Sequence, residues 1–157
     1  LIAKLIETGV DVKITEEGIY VNAVDKKLKP TDIKTLPYPG FPTDLQSPFM
    51  AYLATVEGVS TVIETVFENR FMHADEFSKL GASIITNGKE AKIDGTYRLK
   101  GSSIRATDLR AGAAMILLGL VATGETSVYD IYHIDRGYDS FMNKLRALGA
   151  DIERIEE

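Results

Sequence analysis

The sequence predicts an α/β fold built from one repeated supersecondary unit, with helices central and sheets outside. Three observations carry this. The chain says nearly the same thing twice, TDLQSPFMAYLATVEGVSTVIETVFENRF from Thr43 and TDLRAGAAMILLGLVATGETSVYDIYHIDRGY from Thr107. Both passages run on to one ending, LGASI at residues 80–84 and LGADI at 148–152. The offset grows from 64 at Asp44/Asp108 to 66 at Arg70/Arg136 and 68 at Gly81/Gly149, and a third copy of the ending, KLIETGVDVKI, fills residues 4–14. Such a period implies a fold made by stacking one unit. The second observation is the stretch after Asp108, apolar nearly all round through Ala111, Met115, Leu117, Leu120 and Val121; a helix without a polar face belongs in the centre. The third is alternation in the candidate strands, as in Val12, Ile14, Ile19 and Val21, which suits sheets wet on one face.

The elements follow in order. A helix runs to about Thr8, and a hairpin of DVKIT and IYVNA turns around Glu16, Glu17 and Gly18. Lys-rich 26–29 is a linker, and LPYPGFP at 36–42 is a turn-rich approach. Asp44 and Asp108 each follow a threonine and precede a helical apolar stretch, so both read as N-caps. Pro48 falls in the first turn of its helix, where proline is tolerated. Gly58 and Gly124 suit the helix ends. Strands are expected at 61–67 and 126–132, and second helices at about 73–80 and 138–148. Each is closed by the LGA turn and followed by a strand. The unit is βαβαββ, present as a partial unit 1–28, a unit 29–97 and a unit 98–157 whose last strand or two is trimmed. The expectation is therefore a single incomplete domain, 1–157, belonging to a larger protein.

Composition narrows the function. Hydrophobic residues at 45% and charged residues at 26% are ordinary for a globular domain. A net charge of −5 argues against a general nucleic-acid binder, which carries a basic face. The absence of cysteine excludes disulfides and a thiol nucleophile within the chain, and His73 and His133 are too few for a convincing metal site. The charge-free run 111–124 is shorter than the ~20 residues that cross a bilayer, so no membrane partner is expected.

The arginines carry the chemical interest. Arg70 in FENRF and Arg136 in HIDRG are expected just past corresponding strands, and Arg110 lies in the first turn of the apolar helix. A cation there gains nothing from the helix dipole, so either Asp108 neutralises it or it faces an anion. Arginine's planar fork suits carboxylates and phosphates. Three arginines converging from repeated positions would hold a small anion, whereas three separate surface ion pairs would be structural. Asp44, as a repeated residue, reads first as structural. His73 and His133 read as packing or surface histidines, and Tyr129, Tyr132 and Tyr138 as sheet and core aromatics. Glycine-rich nucleotide motifs are absent.

FPTDLQ, ETVFENRFMH, ATDLRAG, and IYHIDRGY followed by KLRALGADIERI resemble the UDP-N-acetylglucosamine enolpyruvyltransferases (1-carboxyvinyltransferases). The match runs over essentially the whole chain in the family's order. The related shikimate-pathway enolpyruvyltransferases share the fold but differ at the segments matching FPTDLQ and ENRFMH. The resemblance implies two globular domains, each an inside-out α/β prism of βαβαββ units, with this chain forming most of the C-terminal part. It implies transfer of the enolpyruvyl group from phosphoenolpyruvate to the 3-hydroxyl of UDP-N-acetylglucosamine, with release of phosphate. That reaction is an addition–elimination, without metal or organic cofactor, and the first committed step of peptidoglycan synthesis in the bacterial cytoplasm.

Under the resemblance Asp44 matches the aspartate that contacts the sugar hydroxyl, the candidate general base. Arg110 and Arg136 match arginines at the phosphoenolpyruvate site, and Arg70 matches one lining the same cleft. Val66 matches a position whose backbone holds the sugar nucleotide, with Phe67 beside it. The family's lid cysteine, a catalytic lysine and further arginines lie in an N-terminal domain, the implied intramolecular partner. The chain alone is accordingly expected to be inactive and to self-associate. Two other readings remain: a 3-phosphoshikimate 1-carboxyvinyltransferase, and a non-catalytic anion-binding scaffold of the same fold.

Overall fold

The three repeated endings, TGV at 8–10 and LGA at 80–82 and 148–150, fold alike and fix the repeat in space. In a computed structural model describing residues 1–96 and 98–155, helices α1 (Ile2–Glu7), α3 (Ala74–Lys79) and α6 (Phe141–Ala147) each run into one such turn. Gly9, Gly81 and Gly149 take φ of 96°, 91° and 94°. The following residue in each copy reaches back five positions, Val10 N–H to Leu5 C=O, Ala82 to Phe77 and Ala150 to Leu145, at 3.2, 3.2 and 3.0 Å. This is a Schellman closure, in which a left-handed residue lets the chain turn back and cap the last carbonyls. The expected unit boundary at 97, and residues 156–157, lie outside the described residues.

After α1 comes an antiparallel hairpin, β1 (Asp11–Thr15) with β2 (Gly18–Asn22). The next unit contains β3 (Ile33–Lys34), α2 (Gln46–Leu53), β4 (Gly58–Ile63), α3, β5 (Ser83–Asn87) and β6 (Glu90–Gly95). This is the expected βαβαββ order. Its sheet runs β3-β4-β6-β5, with β3 parallel to β4 and the other pairs antiparallel. The last unit supplies β7 (Ser103–Arg105), α4 (Leu109–Val121), β8 (Ser127–Tyr129), α5 (Tyr132–Asp135) and α6. Here β7 and β8 pair in parallel across α4, as β3 and β4 do across α2.

The core lies between the helices and the inner sheet faces. Phe49, Met50 and Leu53 of α2 meet Ala111, Ala114, Met115 and Leu118 of α4, and Val62, Ala91 and Ile93 close the sheet side. Strands β4 and β6 alternate buried and open positions, as expected for a sheet wet on one face. Helices inside and sheets outside is thus the observed arrangement for α2 and α4. Two surfaces depart from it. Leu117, Leu120 and Val121 leave one side of α4 exposed, and the hairpin exposes Ile14, Ile19, Tyr20 and Val21. No helix among the described residues is long and apolar enough to cross a membrane.

Several boundaries differ from expectation, each for a local reason. Helix α2 stops at Leu53 rather than near Gly58, which instead opens β4 at φ 112°. Strand β4 stops at Ile63, because Glu64 turns its carboxylate inward and takes the next backbone N–H groups. Strand β8 stops at Tyr129, where Asp130 adopts φ 59° and leads into α5. Helix α6 begins at Phe141, after Ser140 at φ 50°. No strand follows the LGA turn at 148–150 among the described residues.

Candidate active site

The two repeated aspartates behave differently. Asp108 is the expected N-cap of α4: its backbone is extended (φ −161°, ψ 178°), and its carboxylate accepts the N–H groups of Arg110 and Ala111 at 2.8 and 3.1 Å. Asp44 is not a cap. The chain enters α2 through a 3-10 turn, Thr43–Leu45, so Leu45 occupies the capping position and Asp44 lies inside the turn. The N-cap expectation is therefore corrected. An aspartate caps only when it directly precedes the helix in extended conformation, and the extra turn begun at Pro42 displaces it.

Freed from capping, the Asp44 carboxylate pairs with Arg110 Nε–H of the neighbouring unit. Its side chain remains 65% exposed, so the pair stands at the surface. Asp108 holds only the backbone N–H of Arg110, and it is Asp44 that meets the guanidinium. Arginine carries five N–H donors, so the Nη groups of Arg110 stay available for a further anion. The first turn of α4 adds its positive dipole end at the same place.

Arg136 caps the C-terminus of α5 and lies 5.5 Å over the Tyr132 ring. Its neighbour Gly137 sits against the first residue of α4, where an added Cβ would fall 2.7 Å from Leu109 Cδ2. The Arg136 backbone is thus next to the turn that carries Arg110. Arg70 stacks on Phe67, with its guanidinium 4.3 Å from the ring centroid. Among the described residues neither Arg70 nor Arg136 has a carboxylate within ion-pair distance, which removes the reading of three surface ion pairs. Neither arginine lies directly past its strand; a loop separates Arg70 from β4, and α5 separates Arg136 from β8.

His73 joins these elements from beneath. It is 1% exposed, packs edge-on against Phe77 at 4.9 Å, and approaches Ser47 Oγ at 3.5 Å through Nδ1. Burial pushes its pKa down to about 4, against the opposing pull of Asp108. A neutral, enclosed imidazole is a packing group, the first of the two roles, packing or surface, that the sequence left open. His133 stacks on Tyr132 at 4.2 Å.

Val66 and Phe67 line the other side of the Thr43–Leu45 turn through a residue the sequence reading missed. Glu64 is 1% exposed, and its carboxylate accepts from Thr35 Oγ1 (2.7 Å), Thr43 Oγ1 (2.9 Å), Val66 N–H (2.8 Å) and Phe67 N–H (3.1 Å). Burial raises its pKa, but these hydrogen bonds outweigh that and hold it below the usual carboxylate range. Its partners lie up to 29 residues away, so no local motif marks it. Two concavities of the surface, one at Leu99, Gly101 and Thr123 and a wider one between the end of α4 and the α5–α6 segment, do not include Asp44, Arg70 or Arg110.

Comparison with known proteins agrees with the fold. Residues 1–145 match the family model of EPSP synthase (3-phosphoshikimate 1-carboxyvinyltransferase). The chain is 57% identical over its whole length to the UDP-N-acetylglucosamine 1-carboxyvinyltransferase 2 of Carboxydothermus hydrogenoformans, and 56% identical over 99% of its length to the UDP-N-acetylglucosamine 1-carboxyvinyltransferase of Finegoldia magna. It spans 38% and 37% of those relatives. The enolpyruvyl transferase NikO of Streptomyces tendae superposes with a TM-score of 0.87 at 30% identity, over 97% of this chain and 35% of that one. An EPSP synthase from Acinetobacter baumannii, at 19% identity and a TM-score of 0.70 over 98% of this chain and 36% of that one, shares the fold.

Proposed function

The chain belongs to the EPSP synthase (3-phosphoshikimate 1-carboxyvinyltransferase) family, and on that premise we propose that it forms one wall of an active site transferring enolpyruvyl from phosphoenolpyruvate to the 3-hydroxyl of UDP-N-acetylglucosamine. Within that reading the chain is part of the C-terminal domain of a two-domain protein, and the opposite wall comes from an N-terminal domain. The setting is the cytoplasmic stage of peptidoglycan synthesis. The acceptor is taken from relatives at 55–57% identity that bear this name.

One observation supports the chemistry most directly: an exposed carboxylate, Asp44, held by a guanidinium from the adjacent unit at the N-terminus of α4. Asp44 takes the proton of the sugar 3-hydroxyl, provided that hydroxyl comes within ~3 Å of the carboxylate. The hydroxyl oxygen bonds to C2 of phosphoenolpyruvate while C3 gains a proton, giving a tetrahedral phospholactoyl adduct. Loss of a C3 proton and of phosphate then restores the double bond in the product. The Nη groups of Arg110, with Arg136 and Arg70, stabilise charge on the phosphate and carboxylate of the donor. The N–H of Val66 is committed to Glu64, so its backbone contact with the sugar nucleotide falls to the carbonyl.

The test follows phosphate release in the full-length protein containing this chain, with UDP-N-acetylglucosamine and separately with shikimate 3-phosphate as acceptor. Release with the sugar nucleotide alone is expected, and Asp44→Asn should lower kcat by at least ~100-fold with the fold unchanged. Release with shikimate 3-phosphate instead would transfer the reading to that acceptor. Release with neither would leave an anion-binding scaffold. The chain by itself is expected to release no phosphate.

A further inference from the structure

We propose that Glu64 is a positioning residue that ties the Asp44 turn to the Val66–Phe67 backbone, setting the base and the acceptor-binding wall in one register. The inference deepens the function proposed above and rests on it for its catalytic consequence.

The segment TLPYPGFPT is bracketed by Thr35 and Thr43, and both hydroxyls donate to Glu64, one to each carboxylate oxygen. The oxygen that takes Thr35 also takes the N–H groups of Val66 and Phe67. Thr35 is itself clasped by Thr65, whose N–H donates to its hydroxyl at 2.9 Å and whose hydroxyl donates to its carbonyl. Asp44 directly follows Thr43, and Arg70 stacks on Phe67. One buried anion therefore connects the two loops that carry four of the proposed site residues. Among the described residues no lysine or arginine lies within ion-pair distance of it, so every hydrogen bond to it comes from these loops.

The repeat supplies the control. Lys34 pairs with Ile63 as Arg105 pairs with Tyr129, and Thr35 N–H donates to Ile63 C=O as Ala106 N–H donates to Tyr129 C=O. Glu64 thus corresponds to Asp130, Thr35 to Ala106, and Thr43 to Thr107. In the second unit the tie is missing: Asp130 pairs outward with Arg105 at 2.9 Å, Ala106 offers no hydroxyl, and Thr107 Oγ1 is buried with no hydrogen-bond partner among the described residues. The same strand–helix–strand frame forms without it. A buried anion present in only one of two copies is therefore not a requirement of the frame, and it occurs in the copy that bears Asp44, Val66 and Phe67.

The experiment compares Glu64→Gln and Thr43→Val with wild type in the full-length protein, by amide hydrogen exchange and by steady-state kinetics. Gln keeps the size but turns an acceptor into a donor towards one of the two loops. Glu64→Gln is expected to raise exchange at 43–47 and at 65–68 together, leaving β5, β6 and α6 as in wild type. It should lower kcat 10- to 100-fold and raise KM for UDP-N-acetylglucosamine several-fold, with KM for phosphoenolpyruvate within about twofold. Thr43→Val should move both readouts the same way by less. Unchanged exchange in the two loops would overturn the tie. Altered exchange with wild-type kcat and KM would overturn its role in positioning, leaving only stability. A wild-type protein inactive with the sugar nucleotide would instead defeat the proposed function, and the exchange comparison would still decide whether the tie exists.

Discussion

A histidine and an aspartate show how far a single residue's role can be read before its surroundings are known. His73 was legible from sequence as a packing or surface residue, with no nucleophile or metal partner in view, and the structure decides for packing, enclosed by Phe77 and Ser47. Its consequence for pH follows from burial. The folded-state pKa is about 4 against an ordinary 6.5, so the unfolded chain binds the extra proton first as pH falls. The stabilisation is fully present above pH ~6.5 and is lost on descent to ~4, on the order of 3 kcal/mol in total. Thermal melts across this window should fall more steeply for wild type than for His73→Gln; parallel curves would refute the assignment. The carboxylates of Glu7, Glu64 and Glu76 are held below their usual range, so their loss comes at lower pH. Asp44 was legible as a residue of interest, and the resemblance offers it as the base, but its local placement was not legible. The sequence TDLQ looks like a cap, and only the additional 3-10 turn turns its side chain to Arg110.

At the scale of elements, repeated helices with unequal entries give unequal energetics. Asp108 satisfies two N–H groups of α4, so Asp108→Ala should destabilise the chain by about 1 kcal/mol. Asp44→Ala removes an exposed ion pair and no cap, and should cost less than ~1 kcal/mol. Denaturant midpoints of the two variants measure the difference, and equal losses would restore the capping role to Asp44. The unit order, the hairpin and the LGA turns were legible because they depend on short-range signals: apolar period, a flanking threonine–aspartate, and a glycine that must take positive φ. The ends of β4 and β8 were not. They are set by Glu64 turning inward and by Asp130 at φ 59°, and a glutamate within a β-rich run reads as a solvated residue until its distant threonines are in place. The Glu64 network escaped for that reason, with partners 21 and 29 residues away on one side.

For the whole molecule, surface area exposes what the repeats leave unfinished. A compact monomer of 17.3 kDa exposes about 7,800 Å², whereas this chain exposes 9744 Å². The excess, roughly 1,900 Å², exceeds the ~800 Å² that one partner contributes to a stable interface. Two apolar faces contribute to it: the uncovered side of α4, with Val121 at 59% exposure beside Leu117 and Leu120, and the hairpin, with Ile14 at 71%. Helix α4 was recognised in sequence as apolar on all sides, and the structure covers only part of it. In a longer protein the remainder of the fold would occupy these faces; in the isolated chain another copy must do so or they stay wet. The isolated chain is therefore expected to self-associate over a concentration series in sedimentation velocity. Leu117→Lys with Val121→Lys should return it towards monomer, because lysine preserves the helix while charging its open side. A wild-type chain that sediments as a clean monomer at every concentration would show that these faces do not drive association, and the excess area would then have to be tolerated as exposed surface.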